Sequence, residues 1–200
     1  LSRDILFRIL LIRLREDEWL LLVNMHHIIS DGWSIAIFIR EIVDSYLQIV
    51  EGKCPELKPL PVQYVDYAAW QRKYLTGDVL QQQVDYWKEK LSGIAALELP
   101  TDHRRPHEQT YNGSYITFKL NNDIRNKLLQ FSQKHDVTLF MSLLAIFKVM
   151  LYRYSSNEDI CVGTPIANRT RIETESIIGF FVNTLALRSD LSGQPRFIDL

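Results

Sequence analysis

The 200-residue sequence has few cysteines and no block of like charge, and both absences narrow the classes of protein that it represents. Its two cysteines, Cys54 and Cys161, form no metal-binding or disulfide pattern, so we interpret each as a reduced, packed thiol. The net charge of −1 and the lack of a long basic run give no electrostatic footprint for nucleic acid. The composition therefore predicts a protein that binds no nucleic acid.

Long apolar runs and a leader segment are also missing. The longest apolar stretch, residues 139–151, is short for a membrane span and contains Lys148. The chain begins Leu1-Ser2-Arg3-Asp4, without the charged and then apolar leader of a secreted protein. We therefore predict a soluble, cytoplasmic protein that enters no membrane.

The most informative segment is residues 25–34, which read MHHIISDGWS. It follows residues 19–23, a continuous apolar run that is typical of a strand buried on both faces. Side chains alternate along a strand, so His26 and His27 should point to opposite faces. His27 would share its face with Trp19, Leu21, Val23 and Met25. We expect its imidazole to be packed on one side and open to a ligand on the other.

Turn and helix signals follow the two histidines. Ser30, Asp31 and Gly32 have turn chemistry, because the first two bond to nearby backbone and glycine permits close approaches. From about Trp33 to Val50 the apolar residues recur at helical spacing, at positions 35, 38, 39, 42, 46 and 49. The predicted unit is a strand, a tight turn and a helix, whose free N–H groups lie near His27 and can stabilise developing negative charge.

Such an arrangement suits acyl transfer, because a histidine with a pKa near about 6.5 can take a proton from a nucleophile at neutral pH. Asp31 has two interpretations. It either turns toward His27 and stabilises the charged imidazole, or turns inward, pairs with an arginine and holds the turn. A His-x-x-x-Asp spacing alone is common by chance, and a lone histidine is more often a packed or surface residue than a catalyst.

Residues 25–34 resemble the HHxxxDG signature of condensation domains in non-ribosomal peptide synthetases. Four further segments resemble that family in the right order: YxDYAxW at 64–70, YWxxxL at 86–91, LPTDxxRP at 99–106 and IGxFxNTxxxR at 178–188. The resemblance covers essentially the whole chain. One such motif alone would be a weak signal, whereas several in sequence are strong.

The resemblance implies an α/β fold like that of chloramphenicol acetyltransferase, with two lobes in a V and the active site in a tunnel between them. A complete condensation domain is more than twice this long, so we expect the chain to be an internal fragment. Residues 1–98 would be the C-terminal part of the N-lobe, and residues 99–200 the inter-lobe connection and the first part of the C-lobe. We expect exposed apolar surface where the missing parts pack.

The resemblance also implies an activity and its partners. The enzyme would be an acyltransferase that forms a peptide bond between a donor thioester and an acceptor amine, of the type that joins L-configured residues. Both substrates would be tethered by phosphopantetheine to carrier domains, beside an adenylation domain in the parent chain, and no cofactor or metal would bind directly. The alternatives are an epimerase or O-acyltransferase of the same fold, and a non-catalytic docking module.

Two residues match positions that the family associates with the reaction itself. His27 matches the histidine usually assigned to catalysis, either as a base or as a group that orients the amine. Gly32 matches a position whose backbone N–H faces the reaction centre. Trp33 and Asn183 fall in the tunnel and substrate region.

Three residues match structural positions of the family site. His26 is the first histidine of the signature. Asp31 matches an aspartate that is usually paired with an arginine, and the best candidate for the partner is Arg169, within the GxPxxxR-like stretch at 163–169. His103 and His107 have a metal-like spacing, but they lie in a proline-flanked segment that we interpret as a solvated linker.

Periodicity and turn residues predict the remaining elements. Asn122 and Thr138 are candidate N-caps, and the helix after Thr138 is apolar on most sides and should be buried. We predict a hairpin between 5–15 and the apolar run, helices at 65–74, 78–91, 122–135 and from 139, and strands at 115–120, 160–163 and 181–188.

Overall fold

The computed structural model describes residues 3–104 and 106–200. Helices and strands are mixed along the chain, as predicted. The elements are β1 Phe7–Arg13, β2 Trp19–Met25, α1 Gly32–Val50, α2 Tyr64–Tyr74, α3 Gly77–Lys90, α4 Asn122–Lys134, α5 Leu139–Ser155, β3 Asp159–Ile166 and β4 Asn183–Asp190, with short 3₁₀ turns at His27–Ile29, Ile172–Thr174 and Phe197–Asp199.

The chain divides into two compact units. One runs up to Tyr86 and includes Thr164–Leu185, and the other comprises Trp87–Gly163 and Ala186–Leu200. Neither unit is continuous in sequence, so this division differs from the expected one between residues 98 and 99. The assignment of those stretches to lobes of a larger domain stays a prediction.

The predicted hairpin is present in the first unit. Strands β1 and β2 are antiparallel, and their register pairs Phe7 with Met25 and Arg13 with Trp19. The hairpin ends where the two histidines begin. The buried apolar side chains of this unit are few: Ile37, Ile177 and Phe181.

The second unit has its own small core, formed by Leu151, Ile160 and Leu191. Helices α4 and α5 pack through a buried hydrogen bond of 2.8 Å between the hydroxyls of Ser132 and Ser142. Strands β3 and β4 pair in a two-stranded sheet. Arg188, the last residue of the 178–188 motif, donates to both carboxylate oxygens of Asp159 and to two backbone carbonyls.

Helix boundaries agree closely with the sequence, because capping is local. Thr138 caps α5, as predicted, by accepting the Met141 N–H. The predicted cap of α4 is one residue too late: Asn121 is the N-cap and accepts the Ile124 N–H.

Three burial predictions are wrong. Strand β2 is not buried on both faces, since Trp19 to Leu22 are all exposed. Most apolar side chains of α5 are likewise exposed, because little of the described chain covers the helix. Cys54 is exposed rather than packed, and Cys161 is half-buried.

The strand predicted at 115–120 is absent, and residues 111–120 have no regular secondary structure. The exposed fractions of Tyr115 and Ile116 are 91% and 90%. Alternating apolar residues form a strand only beside a partner strand, and no strand of the described residues pairs with this segment. Arg105, which belongs to the LPTDxxRP-like segment, lies outside the described residues.

Within the described residues, no single helix is both long and apolar enough to cross a membrane. The pair α4 and α5 passes that test together by length and composition, with a bend of 109° between the helices. Lys148 interrupts the apolar sequence of α5. Its buried ammonium donates to the Ser189 hydroxyl at 2.7 Å, and burial lowers the Lys148 pKa, although Cys161 acts in the opposite direction.

Candidate active site

His27 lies at the first position of the 3₁₀ turn that follows β2. Its Nδ1 is 2.6 Å from the backbone carbonyl oxygen of Ser30. A carbonyl oxygen only accepts hydrogen bonds, so Nδ1 must carry the proton in this contact. In the neutral ring Nε2 is therefore an unprotonated acceptor, which is the form that can take a proton.

The imidazole borders an open groove of about 700 Å³ in the first unit. Apolar side chains of β2 and α1 form most of the walls, and His27, Ser30, Asp31 and Gly32 contribute the polar end. As predicted, His27 shares this face with the alternate residues of β2; Trp19 is not part of the lining. The apolar wall residues are Leu21, Val23, Met25, Ile35, Phe38, Ile39, Ile42 and Val43.

The α1 stripe has a different surrounding from the one predicted. Four of its six members, Ile35, Phe38, Ile39 and Ile42, line the groove, while Tyr46 and Ile49 are exposed. The side chains of α1 that are fully buried are Ser34 and Ile37.

Asp31 turns inward, which decides between its two interpretations. Its carboxylate is 3.1 Å from the Arg169 Nη2, and the two side chains are 1% and 2% exposed. Asp31 also caps α1, because Oδ1 accepts the backbone N–H of Ser34 at 2.9 Å. Oδ2 accepts the N–H of Phe181 at 3.0 Å. The ion pair predicted from the sequence is therefore present, and the His27 ring bonds to a carbonyl instead of a carboxylate.

Opposing effects act on the pKa of Asp31. Burial alone would raise the pKa, because it disfavours the charged form. Hydrogen bonds from the Ser34 backbone and hydroxyl, the Phe181 backbone and Arg169 together hold the pKa below its usual value. Asp31 is therefore an anion with all of its partners inside the protein.

Arg169 connects Asp31 to the segment that follows β3. Its Nη1 donates to the carbonyl oxygens of Thr174 and Ile177, the second at 2.7 Å. Its guanidinium carbon lies 4.1 Å from the centre of the Phe181 ring. A guanidinium is suited to this position, because it donates several hydrogen bonds in one plane while its face stacks on an aromatic ring.

Ser34 is a buried residue at the centre of this network, and sequence reasoning missed it. Its hydroxyl accepts hydrogen bonds from the N–H of Gly179 at 3.0 Å and from Arg169 at 3.1 Å. The hydroxyl also lies 2.8 Å from both Asp31 Oδ1 and the Gly179 carbonyl, and its single proton serves one of them at a time. The serine in the signature is the only sequence signal for this role, since its partners come from the distant 178–188 motif.

The remaining predicted residues have separate positions. His26 is exposed, and its Nδ1 accepts the Ile28 N–H and caps the 3₁₀ turn. Gly32 is the first residue of α1, where a Cβ would meet nothing within 4 Å. The Trp33 indole donates to the Glu175 carbonyl at 2.9 Å. Asn183 is exposed, accepts the N–H of Thr184, and is not part of the groove lining.

Among the described residues, no group of three or more His, Cys, Asp or Glu side chains is placed to hold a metal ion. His103 and His107 are both exposed.

Comparisons with known proteins agree on one family. The family profile described as "Condensation domain" matches residues 1–200. A linear gramicidin synthase of Brevibacillus parabrevis is 55% identical over 201 residues, which cover 100% of this chain and 4% of the synthase. Malpinin synthetase of Mortierella alpina is 49% identical over 201 residues, which cover 100% of this chain and 3% of the synthetase. The chain thus spans a small part of the curated relatives it matches.

Solved structures have the same fold. The X-domain in its complex with OxyB from teicoplanin biosynthesis has a TM-score of 0.87 at 29% identity, covering 98% of this chain and 45% of that one. A four-domain non-ribosomal peptide synthetase bound to AMP and glycine has a TM-score of 0.76 at 25% identity, covering 92% of this chain and 14% of that one. These likenesses confirm the predicted chloramphenicol acetyltransferase-like α/β fold class, of which this chain is a part.

Proposed function

Since this chain belongs to the condensation-domain family, we propose that it carries the catalytic histidine of a peptide-bond-forming acyltransferase. The reaction joins a carrier-bound aminoacyl or peptidyl thioester to the amine of a carrier-bound aminoacyl group. The observation that carries the proposal is the state of His27: a ring with its proton held on Nδ1, beside an open groove with apolar walls.

The chemistry asks little of the protein beyond this histidine. A thioester is already activated, and an α-amine with a pKa near about 8 is largely protonated at neutral pH and must lose a proton to attack. The Nε2 lone pair of His27 either takes that proton or orients the amine through a hydrogen bond. General-base assistance of this kind contributes about 10²- to 10⁴-fold to the rate.

The other site residues support His27 in the proposed reaction. Asp31 and Arg169 hold the turn between β2 and α1, and with it the Ser30 carbonyl that orients the ring. Gly32 begins α1, where the first N–H groups have no acceptor within the helix. These N–H groups stabilise negative charge that develops on the thioester oxygen. His26 maintains the 3₁₀ turn, and Trp33 and Asn183 contribute to the substrate path.

We propose the partners from the family. Donor and acceptor reach the site on the phosphopantetheine arms of two carrier domains, and an adenylation domain adjoins in the longer protein. No other cofactor takes part. The signature at 25–34 supports the type that joins L-configured donors to L-configured acceptors. The reaction belongs in the cytoplasm, where ATP is available to make aminoacyl thioesters.

A docking module is the second candidate, and one comparison favours it. The X-domain with the same fold was solved in complex with another protein, OxyB. That function needs no imidazole beside an open groove, whereas the first one does. An epimerase or O-acyltransferase of the same fold is the remaining alternative.

One experiment separates these functions. The longer protein that contains this chain is incubated with defined donor and acceptor carriers, and the carrier-bound products are identified by mass spectrometry and chiral analysis. A new amide supports the proposed function. An inverted stereocentre, an ester, or no product with an intact protein contradicts it and identifies the epimerase, the O-acyltransferase or the docking module respectively.

A further inference from the structure

Three side chains of the first unit hold the backbone of residues 179–181. Ser34 accepts the Gly179 N–H at 3.0 Å, and Asp31 accepts the Phe181 N–H at 3.0 Å. Between them, the Tyr64 hydroxyl donates to the Phe180 carbonyl at 2.8 Å. Tyr64 is the first residue of α2, so its bond joins a second helix to the segment that Asp31 and Ser34 already hold.

The Tyr64 ring also lies against Gly179. A Cβ at position 179 would be 2.2 Å from Cδ2 of Tyr64 and 2.7 Å from Cε2. Both distances are far inside van der Waals contact, and the obstacle is a packed ring whose hydroxyl is bonded. The glycine is needed here because of a close approach, since its φ lies outside the left-handed region. Tyr64 and Gly179 therefore act as one contact.

This contact determines where the Phe180 side chain lies. The Phe180 ring meets the His27 imidazole edge to face, with ring centres 5.3 Å apart and an interplanar angle of 85°. His27 is thus held by a carbonyl at Nδ1 and by an aromatic ring. An edge-to-face contact restricts ring rotation and is favourable beyond the area that it buries.

We propose that Tyr64 and Gly179 are positioning residues, which hold the Phe180 ring against the His27 imidazole and so maintain its orientation toward the groove. The inference rests on the proposed function for its effect on turnover. Its structural content, the dependence of His27 on a residue of α2, is independent of that function. Tyr64 and Gly179 act on the imidazole through Phe180.

Tyr64→Phe in the longer protein is the first test, because it removes only the hydroxyl that bonds to Phe180. We expect kcat for amide formation to fall about threefold to tenfold, the effect of losing one neutral hydrogen bond that orients a catalytic group. KM for the acceptor carrier should stay unchanged. Tyr74→Phe is the matched control: it makes the same change on the same helix, where the ring stacks on Trp70.

A second readout follows His27 without turnover. Diethyl pyrocarbonate modifies unprotonated imidazole, and peptide mass spectrometry gives the rate at His27 as a function of pH. Phe180→Leu removes the aromatic contact and leaves the backbone bonds at 180 and 181. We expect faster modification of His27 in Phe180→Leu and Tyr64→Phe than in Tyr74→Phe. Equal rates and equal kcat values in all variants would overturn the proposal.

A double-mutant cycle tests the steric part. Gly179→Ala should reduce kcat and raise the His27 modification rate, because the new Cβ displaces the Tyr64 ring. In a Tyr64→Ala background the same change should have a much smaller effect, since the ring is gone. Equal effects in both backgrounds would contradict the contact. If the unmodified protein forms no amide, the proposed function fails, and the modification rates alone decide this proposal.

Discussion

At the scale of single residues, the ionic and the catalytic roles are separated. Asp31 and Arg169 are buried together, and Asp31 is surrounded by donors from its own helix and from Phe181. His27 is exposed to the groove and takes its orientation from a backbone carbonyl. The carboxylate thus stabilises the turn that presents the imidazole, instead of charging the imidazole directly.

Removing Asp31 should therefore damage the fold. Loss of one partner of a buried ion pair typically costs about 3–5 kcal/mol, because the other charge is left unpaired. We expect Asp31→Ala to lower the free energy of unfolding by about that amount. Proteolysis of residues 3–200 across a urea series, performed on the longer protein, measures the change. A soluble variant with unchanged stability and no activity would point to a direct chemical role for Asp31.

The same carboxylate makes stability depend on acid. Its folded pKa is lowered, so its contribution is present above the unfolded pKa of about 3.9 and is lost as pH falls toward the folded value. Urea midpoints should be flat from about pH 5 to pH 7 and should decrease below about pH 4. Asp31→Asn should have a lower midpoint at neutral pH and a weaker decrease. Parallel curves for both proteins would show that other carboxylates dominate.

The sequence was sufficient for the site residues that belong to local motifs. His27 followed from the end of an apolar strand, and the Asp31–Arg169 pair from the family resemblance. Ser34, Phe180 and the Tyr64–Gly179 contact were not predicted, because each depends on two segments more than 100 residues apart in sequence. No periodicity within one segment contains that information.

At the scale of elements, helices were predicted better than strands. The bounds of α1, α2 and α3 differ from the prediction by one residue, since caps and apolar spacing lie within the helix or beside it. Residues 115–120 have the alternation of a strand and yet form none, because a strand requires a partner that its own sequence does not specify.

The cap of α5 offers a test at this scale. The Thr138 hydroxyl accepts the Met141 N–H at 3.2 Å, so Thr138→Ala should destabilise the second unit by about 1 kcal/mol. Thr138→Ser retains the hydroxyl and should restore most of the loss. Urea-dependent proteolysis within α4 and α5 measures both variants. An alanine variant as stable as the serine variant would show that the cap contributes nothing.

At the scale of the whole molecule, the chain leaves much apolar surface open. Side chains of β1 and β2 and most apolar residues of α5 are exposed. Surfaces of this kind mark places where other protein packs. The chain covers 45% of a solved neighbour with the same fold, which is consistent with further packing partners.

The isolated 200-residue chain should therefore bind a hydrophobic dye such as ANS and self-associate as its concentration rises. The full-length protein at the same molar concentration should bind much less dye per copy of this chain. Fluorescence titration and sedimentation velocity measure the two properties. A monodisperse isolated chain with no dye binding would contradict the exposed surface described here.

The central claim is that the His27 imidazole takes part in peptide-bond formation. The most direct measurement is the single-turnover rate of amide formation by the longer protein with loaded donor and acceptor carriers. His27→Ala is compared with His103→Ala, the same substitution at an exposed histidine outside the groove. We predict that His27→Ala lowers the rate by a factor of about 100 or more, and that His103→Ala leaves it unchanged. An undiminished rate in a folded His27→Ala protein would contradict the account.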